Sequence, residues 1–259
     1  MKKTACFFIL LAFTSCNESA REPELQQTEI ALSDSTESDT TIAAPPIPAT
    51  CQTRAPHFAP VKQNITDPAL QTYLRELENA VKTQEAEDLL NLLDPKISTG
   101  FDGSGGIEAF RKKWKPENKN SEVWPLLNKL LQLGGTHLKE DKTNRSFAMP
   151  YVYSAWPDTL DAFTFSAVIN DNAPLRQEPD INATALCMLP RVILRVDYAR
   201  SYPQQDNVPE KEWWYVESPD GQQKGYINKS DLYSPVGYRA LFNKNKQGKW
   251  LMTALVAGD

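Results

Sequence analysis

The sequence predicts an α+β fold: a helix-rich α+β domain over residues 64–170, then a small β-barrel over residues 171–235 and a terminal β-hairpin over residues 236–259. Three observations predict this arrangement. Apolar residues recur at helical spacing in the first part of the chain. Short alternating segments separated by turn residues follow in the second part. The stretch before both lacks the apolar side chains that a folded core needs.

Composition excludes several classes of protein. The 259 residues suffice for one or two domains, and a mean hydropathy of −0.50 argues against a protein with several membrane spans. The chain carries 28 basic and 33 acidic residues, a net charge of −5, and no basic block, so we expect no nucleic-acid partner. With two histidines and four cysteines, we expect neither a metal nor another cofactor.

The amino terminus is typical of an export signal. Lys2 and Lys3 precede an apolar run from Ala5 to Phe13, which is too short to span a bilayer, and Cys16 follows at the cleavage position. Residues 1–16 thus resemble a lipoprotein signal peptide. The resemblance implies lipidation, with palmitate, at Cys16, and an anchor in the cell envelope, at the outer membrane because the next residue is not Asp. An ordinary secretory leader that ends in Cys is the alternative.

Residues 17–63 are predicted to be a disordered tether. This stretch holds seven acidic residues, two arginines, many Ser and Thr, and a proline cluster at residues 45–48. It shows no hydrophobic periodicity, so burial does not offset the entropy of ordering it.

The helices follow from capping and spacing. Asp67 and Pro68 form a good helix opening, and Leu70, Leu74, Leu77 and Val81 then recur along one face. Further helices are predicted at residues 84–93 and 107–114, and from Ser121 to the Gly134-Gly135 stop. The intervening residues 96–99, and later residues 147–153 and 162–169, are predicted to be strands.

Short strands with intervening turns fill the next segment. The motifs are Pro174-Leu175-Arg176-Gln177-Glu178-Pro179, residues 185–189, residues 192–196, Trp213-Trp214-Tyr215-Val216, the turn Asp220-Gly221, Lys224-Gly225-Tyr226-Ile227 and residues 230–233. Together they resemble a bacterial SH3-like domain. The resemblance implies a small barrel that binds a peptide or peptidoglycan, although a polar insertion at residues 197–211 departs from the pattern.

Aromatic residues mark the predicted ligand groove of this module: Tyr202, Trp213, Trp214, Tyr215 and Tyr226. Their flat rings supply apolar area with a polar edge. Because successive strand residues point to opposite faces, one of Trp213 and Trp214 should be in the core and the other partly exposed or covered by the neighbouring domain. Structural packing of both rings, without a ligand, is the alternative.

The carboxy terminus is predicted to form a hairpin of residues 238–242 and 250–256 around a polar turn. An isolated hairpin is marginally stable, so we expect it to pack on the amino-terminal domain. In outline that domain and hairpin resemble the nuclear-transport-factor-like cone fold, and the whole chain resembles uncharacterised envelope lipoproteins.

Cys51 and Cys187 are the cysteines that remain outside the leader and the lipidation site. Export to an oxidising compartment allows them to pair, but a tether position for Cys51 and an apolar strand position for Cys187 favour two unpaired residues. Cys187 with His57 or His137 is a poor catalytic pair, since a nucleophile within a strand is inert, and no Gly-x-Ser-x-Gly elbow exists.

We therefore expect a non-enzymatic, lipid-anchored envelope protein that binds a wall glycopeptide or an envelope protein. The alternative is a small-molecule or hydrolytic pocket in the amino-terminal domain, lined by Phe101, Phe110, Trp114 and Trp124.

Overall fold

The computed structural model describes residues 48–60, 65–103, 105–203 and 211–258. These residues belong to one compact unit, Pro46–Asp259. The predicted signal peptide, its lipidation site Cys16 and the predicted tether up to residue 47 lie outside the described residues. Within the described ranges, no helix has the length and apolar character needed to cross a membrane.

The chain is a mixed α+β protein with five helices and twelve strands among its described residues. In chain order they are α1 (Pro68–Thr83), α2 (Ala86–Leu90), β1 (Leu93–Ser98), α3 (Ile107–Trp114), α4 (Val123–Leu133), β2 (Thr136–His137), β3 (Ser146–Met149), α5 (Tyr151–Ser154), β4 (Phe165–Val168), β5 (Ala173–Arg176), β6 (Ala185–Leu189), β7 (Ile193–Tyr202), β8 (Trp213–Glu217), β9 (Lys224–Asn228), β10 (Leu232–Tyr233), β11 (Arg239–Lys244) and β12 (Trp250–Val256).

The helical region combines a five-stranded sheet, in the order β1-β12-β11-β3-β2, with helices α1, α3 and α4. The predicted terminal hairpin is present as β11 and β12, and it lies between β1 and β3. Trp124, Phe110, Phe147, Phe242 and Trp250 fill the core between sheet and helices. This region therefore joins two parts of the chain that are more than 80 residues apart.

Local chemistry explains where its helices begin and end. The Asp67 side chain accepts a hydrogen bond from the Ala69 backbone N–H at 2.9 Å and so caps α1. Ser121 Oγ, two residues before α4 begins, accepts a hydrogen bond from Val123 N–H at 3.2 Å, and Glu122 is the N-cap residue. After α4, Gly135 passes so close to β3 that a Cβ there would lie 2.0 Å from the Ala148 carbonyl oxygen, so only glycine fits.

The sheet region is a seven-stranded sheet in the order β10-β4-β7-β8-β9-β5-β6. The strands predicted for the SH3-like segment all occur in it, but the prediction of a closed barrel is wrong. No ladder joins β6 to β10 in the part of the chain that the structure describes. The outer edge of β6 instead pairs with residues 49–51, since Met188 N–H donates to the Ala49 carbonyl and Cys51 N–H donates to the Met188 carbonyl.

The predicted tether is wrong for residues 48–60, which lie along this sheet. Thr50 bridges Met188 in parallel, His57 bridges Val192 in antiparallel fashion, and Cys51 forms a disulfide with Cys187. The preference for two unpaired cysteines is therefore also wrong. Composition predicted disorder here because the partners of this segment lie far along the chain, with 136 residues separating the two cysteines, beyond the reach of any local pattern.

Two other predictions need correction. Strand β4, assigned to the amino-terminal domain, pairs with β7 and β10 and so belongs to the sheet region. Residues 151–153, predicted as a strand, begin helix α5 instead. Pro150 has no N–H to continue the strand ladder, and the chain turns there.

Candidate functional site

Four of the five residues predicted to form the groove lie on one face of the sheet region. Tyr202 is opposite Trp213, and Tyr226 is opposite Tyr215, in neighbouring strands. Trp213 and Tyr215 are 7% and 8% exposed, and therefore offer almost no ring surface to a ligand. Tyr202 is 52% exposed. The structure does not bring the five residues into one groove.

Trp214 is the fifth, and it points to the other face, as alternation along β8 requires. It is partly exposed and packs against the aliphatic core that contains Val196 and Val216. Its ring meets that of Tyr198 edge to face, with 5.4 Å between centroids. The Tyr198 hydroxyl donates to the Phe163 carbonyl at 2.8 Å, which holds this aromatic pair in place.

Trp214 and Tyr198 form part of a cleft of about 750 Å³ between the sheet region and helix α4. Two more tyrosines, Tyr233 and Tyr238, line it, and both flank the short connection from β10 to β11. Its size is that of a typical small-ligand site. We call it the aromatic–lysine cleft, because Lys129, Lys211 and Lys229 also line it.

A tight turn at residues 234–237 contributes to the lining of the aromatic–lysine cleft. Gly237 N–H donates to the Ser234 carbonyl at 2.9 Å. A Cβ on Gly237 would lie 3.0 Å from the Ser234 carbonyl oxygen and 3.1 Å from the Tyr233 ring, so glycine lets the connection close beside that ring. The Tyr233 hydroxyl donates to the Tyr238 carbonyl, and the two tyrosines are thereby fixed relative to each other.

Three cationic side chains belong to the described lining of this cleft. Its described lining holds three lysines and no carboxylate, although the chain as a whole has a net charge of −5. Lys129 lies over the Tyr233 ring with its Nζ 5.4 Å from the centroid, and Lys211 Nζ donates to the Pro203 carbonyl. Burial raises the pKa of Tyr233 well above its usual value, so its hydroxyl stays neutral. Lys129 and Lys229 also interact with other groups of the chain.

Three of the four aromatic residues predicted for the alternative pocket lie in the core. Phe110, Trp114 and Trp124 are 0%, 7% and 2% exposed and belong to the core of the helical region. Phe101 is 59% exposed in the connection between β1 and α3. Helical spacing correctly placed these three buried side chains on the apolar faces of α3 and α4. It did not distinguish a core residue from a residue that lines a pocket.

The disulfide also determines the chemical state of Cys187. Cys187 Sγ is bonded to Cys51 Sγ, so no thiol is present at that position. His137 lies against Phe147 and Trp250 in the helical region, and His57 lies at the Val192 bridge.

Sequence reasoning missed most of the aromatic–lysine cleft. One signal was available: Tyr198 follows the core residues Leu194 and Val196 at alternate positions of β7, which places it on the face of Trp214. Lys129 gave no comparable signal, since it comes from a helix more than 80 residues before Trp214.

Comparisons with family models, curated proteins and solved structures find no match to this chain.

Proposed function

We propose that this chain is a non-enzymatic, lipid-anchored protein of the cell envelope, and that it binds a wall glycopeptide. Lipidation at Cys16 would hold it at the outer membrane, on its periplasmic or surface face, and residues 17–47 would serve as the tether. The Cys51–Cys187 disulfide supports an extracytoplasmic location, because such bonds persist in oxidising compartments.

We also propose that strands β5 to β10 form an SH3-like module that has lost barrel closure. The strands predicted from the resemblance and the Asp220-Gly221 turn support this assignment. Without barrel closure, the outer edge of β6 would be left unpaired. Residues 49–51 pair with that edge and so satisfy its backbone groups.

The aromatic–lysine cleft is the observation that carries the proposed binding function. Trp214 is the predicted groove residue whose ring reaches a cavity, and it does so beside Tyr198 and three lysines. Wall glycopeptides carry sugar rings and carboxylates, and these match the apolar and cationic parts of the cleft. An envelope protein with an acidic surface loop is the second candidate, and the same lysines favour it.

Co-sedimentation with purified peptidoglycan sacculi tests the proposal. Full-length protein in detergent should be retained, and Trp214→Ala should lower its affinity about tenfold through loss of a buried aromatic contact. Tyr202→Ala is the matched control, because Tyr202 is an exposed aromatic residue on the opposite face of the sheet. It should leave retention unchanged.

Four results would contradict parts of the proposal. If the wild type is not retained, the wall is not the ligand, and a protein partner becomes the leading candidate. If Trp214→Ala binds as well as the wild type does, binding takes place outside the aromatic–lysine cleft. Failure of radiolabelled palmitate to incorporate, or its persistence in Cys16→Ser, would contradict the lipid anchor.

A further inference from the structure

We infer that residues 48–60 form a clasp that receives tension from the proposed membrane tether at the Cys51–Cys187 disulfide, so that a pull on the tether does not load the packing between the helical and sheet regions. This inference rests on the proposed lipid anchor, which is the source of the tension. It goes beyond that function, because it assigns a mechanical role to a segment outside the described lining of the aromatic–lysine cleft.

The first attachments of the clasp lie on the outer edge of β6. Met188 N–H donates to the Ala49 carbonyl at 2.9 Å, and Cys51 N–H donates to the Met188 carbonyl at 2.8 Å. The disulfide lies at the same place, and Cys51 and Cys187 are both buried. Because Cys51 is the fourth residue of the clasp, a pull from the amino-terminal side meets a covalent bond almost at once.

The middle of the clasp is held by exposed polar contacts. Gln223 Nε2 donates to the Gln52 carbonyl at 3.0 Å, and Arg54 N–H donates to an Asp220 carboxylate oxygen, also at 3.0 Å. Water competes for both contacts, so each is exchanged for hydrogen bonds to solvent when the chain is peeled away. These contacts therefore resist a sustained pull far less than the disulfide does.

The far end of the clasp is fixed where the two regions meet. Phe58 N–H donates to the Arg191 carbonyl at 2.9 Å. The Phe58 ring centroid lies 5.1 Å from that of Tyr151 in α5 and 5.5 Å from that of Trp156. Tyr151 and Trp156 belong to the buried cluster that joins Leu133, at the end of α4, to strands β4 and β7. We call this cluster the junction.

The order of these attachments decides where tension goes. With the disulfide intact, a pull on the tether passes from Cys51 directly into β6, and the rest of the clasp lies behind the covalent bond. Without the bond, the same pull detaches the clasp from its amino-terminal end until it reaches Phe58. Extraction of the Phe58 ring loosens the junction, and with it α4, which forms one wall of the aromatic–lysine cleft. The disulfide thus isolates the cleft from tension at the anchor.

Optical tweezers test this load path on the full-length protein in detergent. One handle is attached at Ser19 in the proposed tether, and the other at a clickable amino acid in place of Arg195, an exposed side chain of β7. Forced opening is governed by the rate at which the loaded element opens, so the first event identifies that element. In the oxidised protein the first event should be unfolding of the sheet region, with no earlier step.

Loss of the cross-link should add an early event. In Cys51→Ala/Cys187→Ala the clasp should detach first and lengthen the chain by about 4 nm, since each residue of 48–60 spans at most about 3.5 Å. This event should need roughly twofold less force than the first event in the oxidised protein, because exposed hydrogen bonds oppose it. Wild-type protein reduced with dithiothreitol after folding repeats the measurement and covers the case in which the double variant does not fold.

Truncation of the far end distinguishes the two load paths. Phe58→Ala in the oxidised protein should leave the force of the first event unchanged, because the pull does not reach residue 58. In protein reduced with dithiothreitol, the same substitution should lower the force of the early event. Phe163→Ala is the matched control, because Phe163 is 54% exposed and lies outside the clasp, and it should change neither force.

Three mechanical results would overturn the inference. They are an early step of about 4 nm in the oxidised wild type, a lower first force in oxidised Phe58→Ala, and the absence of the early step once the disulfide is removed. The proposed function fails separately. If palmitate does not label Cys16 while the tweezers give the expected steps, the anchor is refuted and the load path stands.

Discussion

The helical region and the sheet region are stabilised in different ways. Among the described residues, the main core cluster of the helical region contains 23 buried residues, including Phe110, Phe242 and Trp250, whereas that of the sheet region contains 12, none of them aromatic. The buried aromatic residues of β8, Trp213 and Tyr215, lie outside that second cluster. The sheet region has the disulfide instead, together with the backbone pairing of residues 49–51 on β6. Burial of apolar area thus dominates in one region, and a covalent cross-link compensates for a smaller core in the other.

The two regions meet at a third cluster, and this matters for the proposed site. Leu133 at the end of α4 packs with Tyr151, with Ala167 of β4 and with Ile193 of β7. The aromatic–lysine cleft has one wall on α4 and the other on β8 to β10. The shape of the cleft therefore depends both on apolar burial in the helical region and on the cross-link in the sheet region. Each of these can be perturbed separately.

Removal of the disulfide should have the largest effect. The bond joins residues 136 positions apart, and in the chain-entropy model a loop of that length contributes about 5 kcal/mol. We expect Cys51→Ala/Cys187→Ala to lower the free energy of unfolding by about 4–5 kcal/mol in urea titrations. Hydrogen exchange should accelerate first in β6 and in residues 48–60, while β11 and β12 stay protected.

Reduction of the wild-type protein provides the control for packing changes caused by the substitutions. It should reproduce the pattern of the double variant. A loss below about 1 kcal/mol, or equal acceleration of exchange in both sheets, would show that the smaller core suffices without the cross-link.

Truncation of a core side chain in each region measures the other half of the comparison. Phe242 is fully buried, with its ring centroid 5.6 Å from that of Tyr73 and 6.1 Å from that of Phe147. Phe242→Ala should destabilise the protein by about 4 kcal/mol, since it leaves a large cavity. Val216→Ala in the sheet region removes two methyl groups and should cost about 2 kcal/mol. Thermal and urea denaturation measure both.

Equal losses for the two variants would contradict the contrast between a large aromatic core and a small aliphatic one. Retention of sacculi binding by Phe242→Ala at temperatures where it is folded would separate stability from the proposed function.

The sequence predicted local elements well and long-range arrangements poorly. Residues 107–114 and 185–189 match α3 and β6 in full, because periodicity and turn residues specify such segments locally. Residues 48–60 were predicted as tether because their hydrogen-bond partners, such as Met188, lie far along the chain. The prediction of a closed barrel is wrong for the same reason: residues 49–51, which are distant in sequence, occupy the outer edge of β6.

The candidate site shows the same division. Alternation placed Trp213 and Trp214 on opposite faces correctly, and the structure has Trp213 buried and Trp214 beside the cleft. Alternation along a strand gave no information on Lys129, because the position of this side chain depends on how α4 packs against the sheet region. A cavity between distant elements is a property of tertiary packing, and no one-dimensional pattern encodes it.

The smallest predicted effect concerns a charged contact within the helical region. Asp67 caps α1 and also accepts hydrogen bonds from Lys244 Nζ at 2.7 Å and Trp250 Nε1 at 2.9 Å, so it ties the helix to the terminal hairpin. The hydrogen bond from Lys244 is the main cause that lowers the pKa of Asp67 to about 2. Because this folded-state pKa lies below the unfolded value, the carboxylate stabilises the fold fully above about pH 4, and this contribution is lost as the pH falls towards 2.

Asp67→Asn should therefore flatten the fall in unfolding free energy between about pH 4 and pH 2. At neutral pH it should cost about 1–2 kcal/mol, a value reduced by the partial exposure of the contact. Asp220→Asn is the control in the sheet region: hydrogen bonds, first from Ser218, lower the pKa of Asp220 as well, but its carboxylate is exposed to solvent. If Asp220→Asn flattens the acid transition more than Asp67→Asn does, acid sensitivity resides in the cross-linked sheet, and the helical region depends on apolar burial alone.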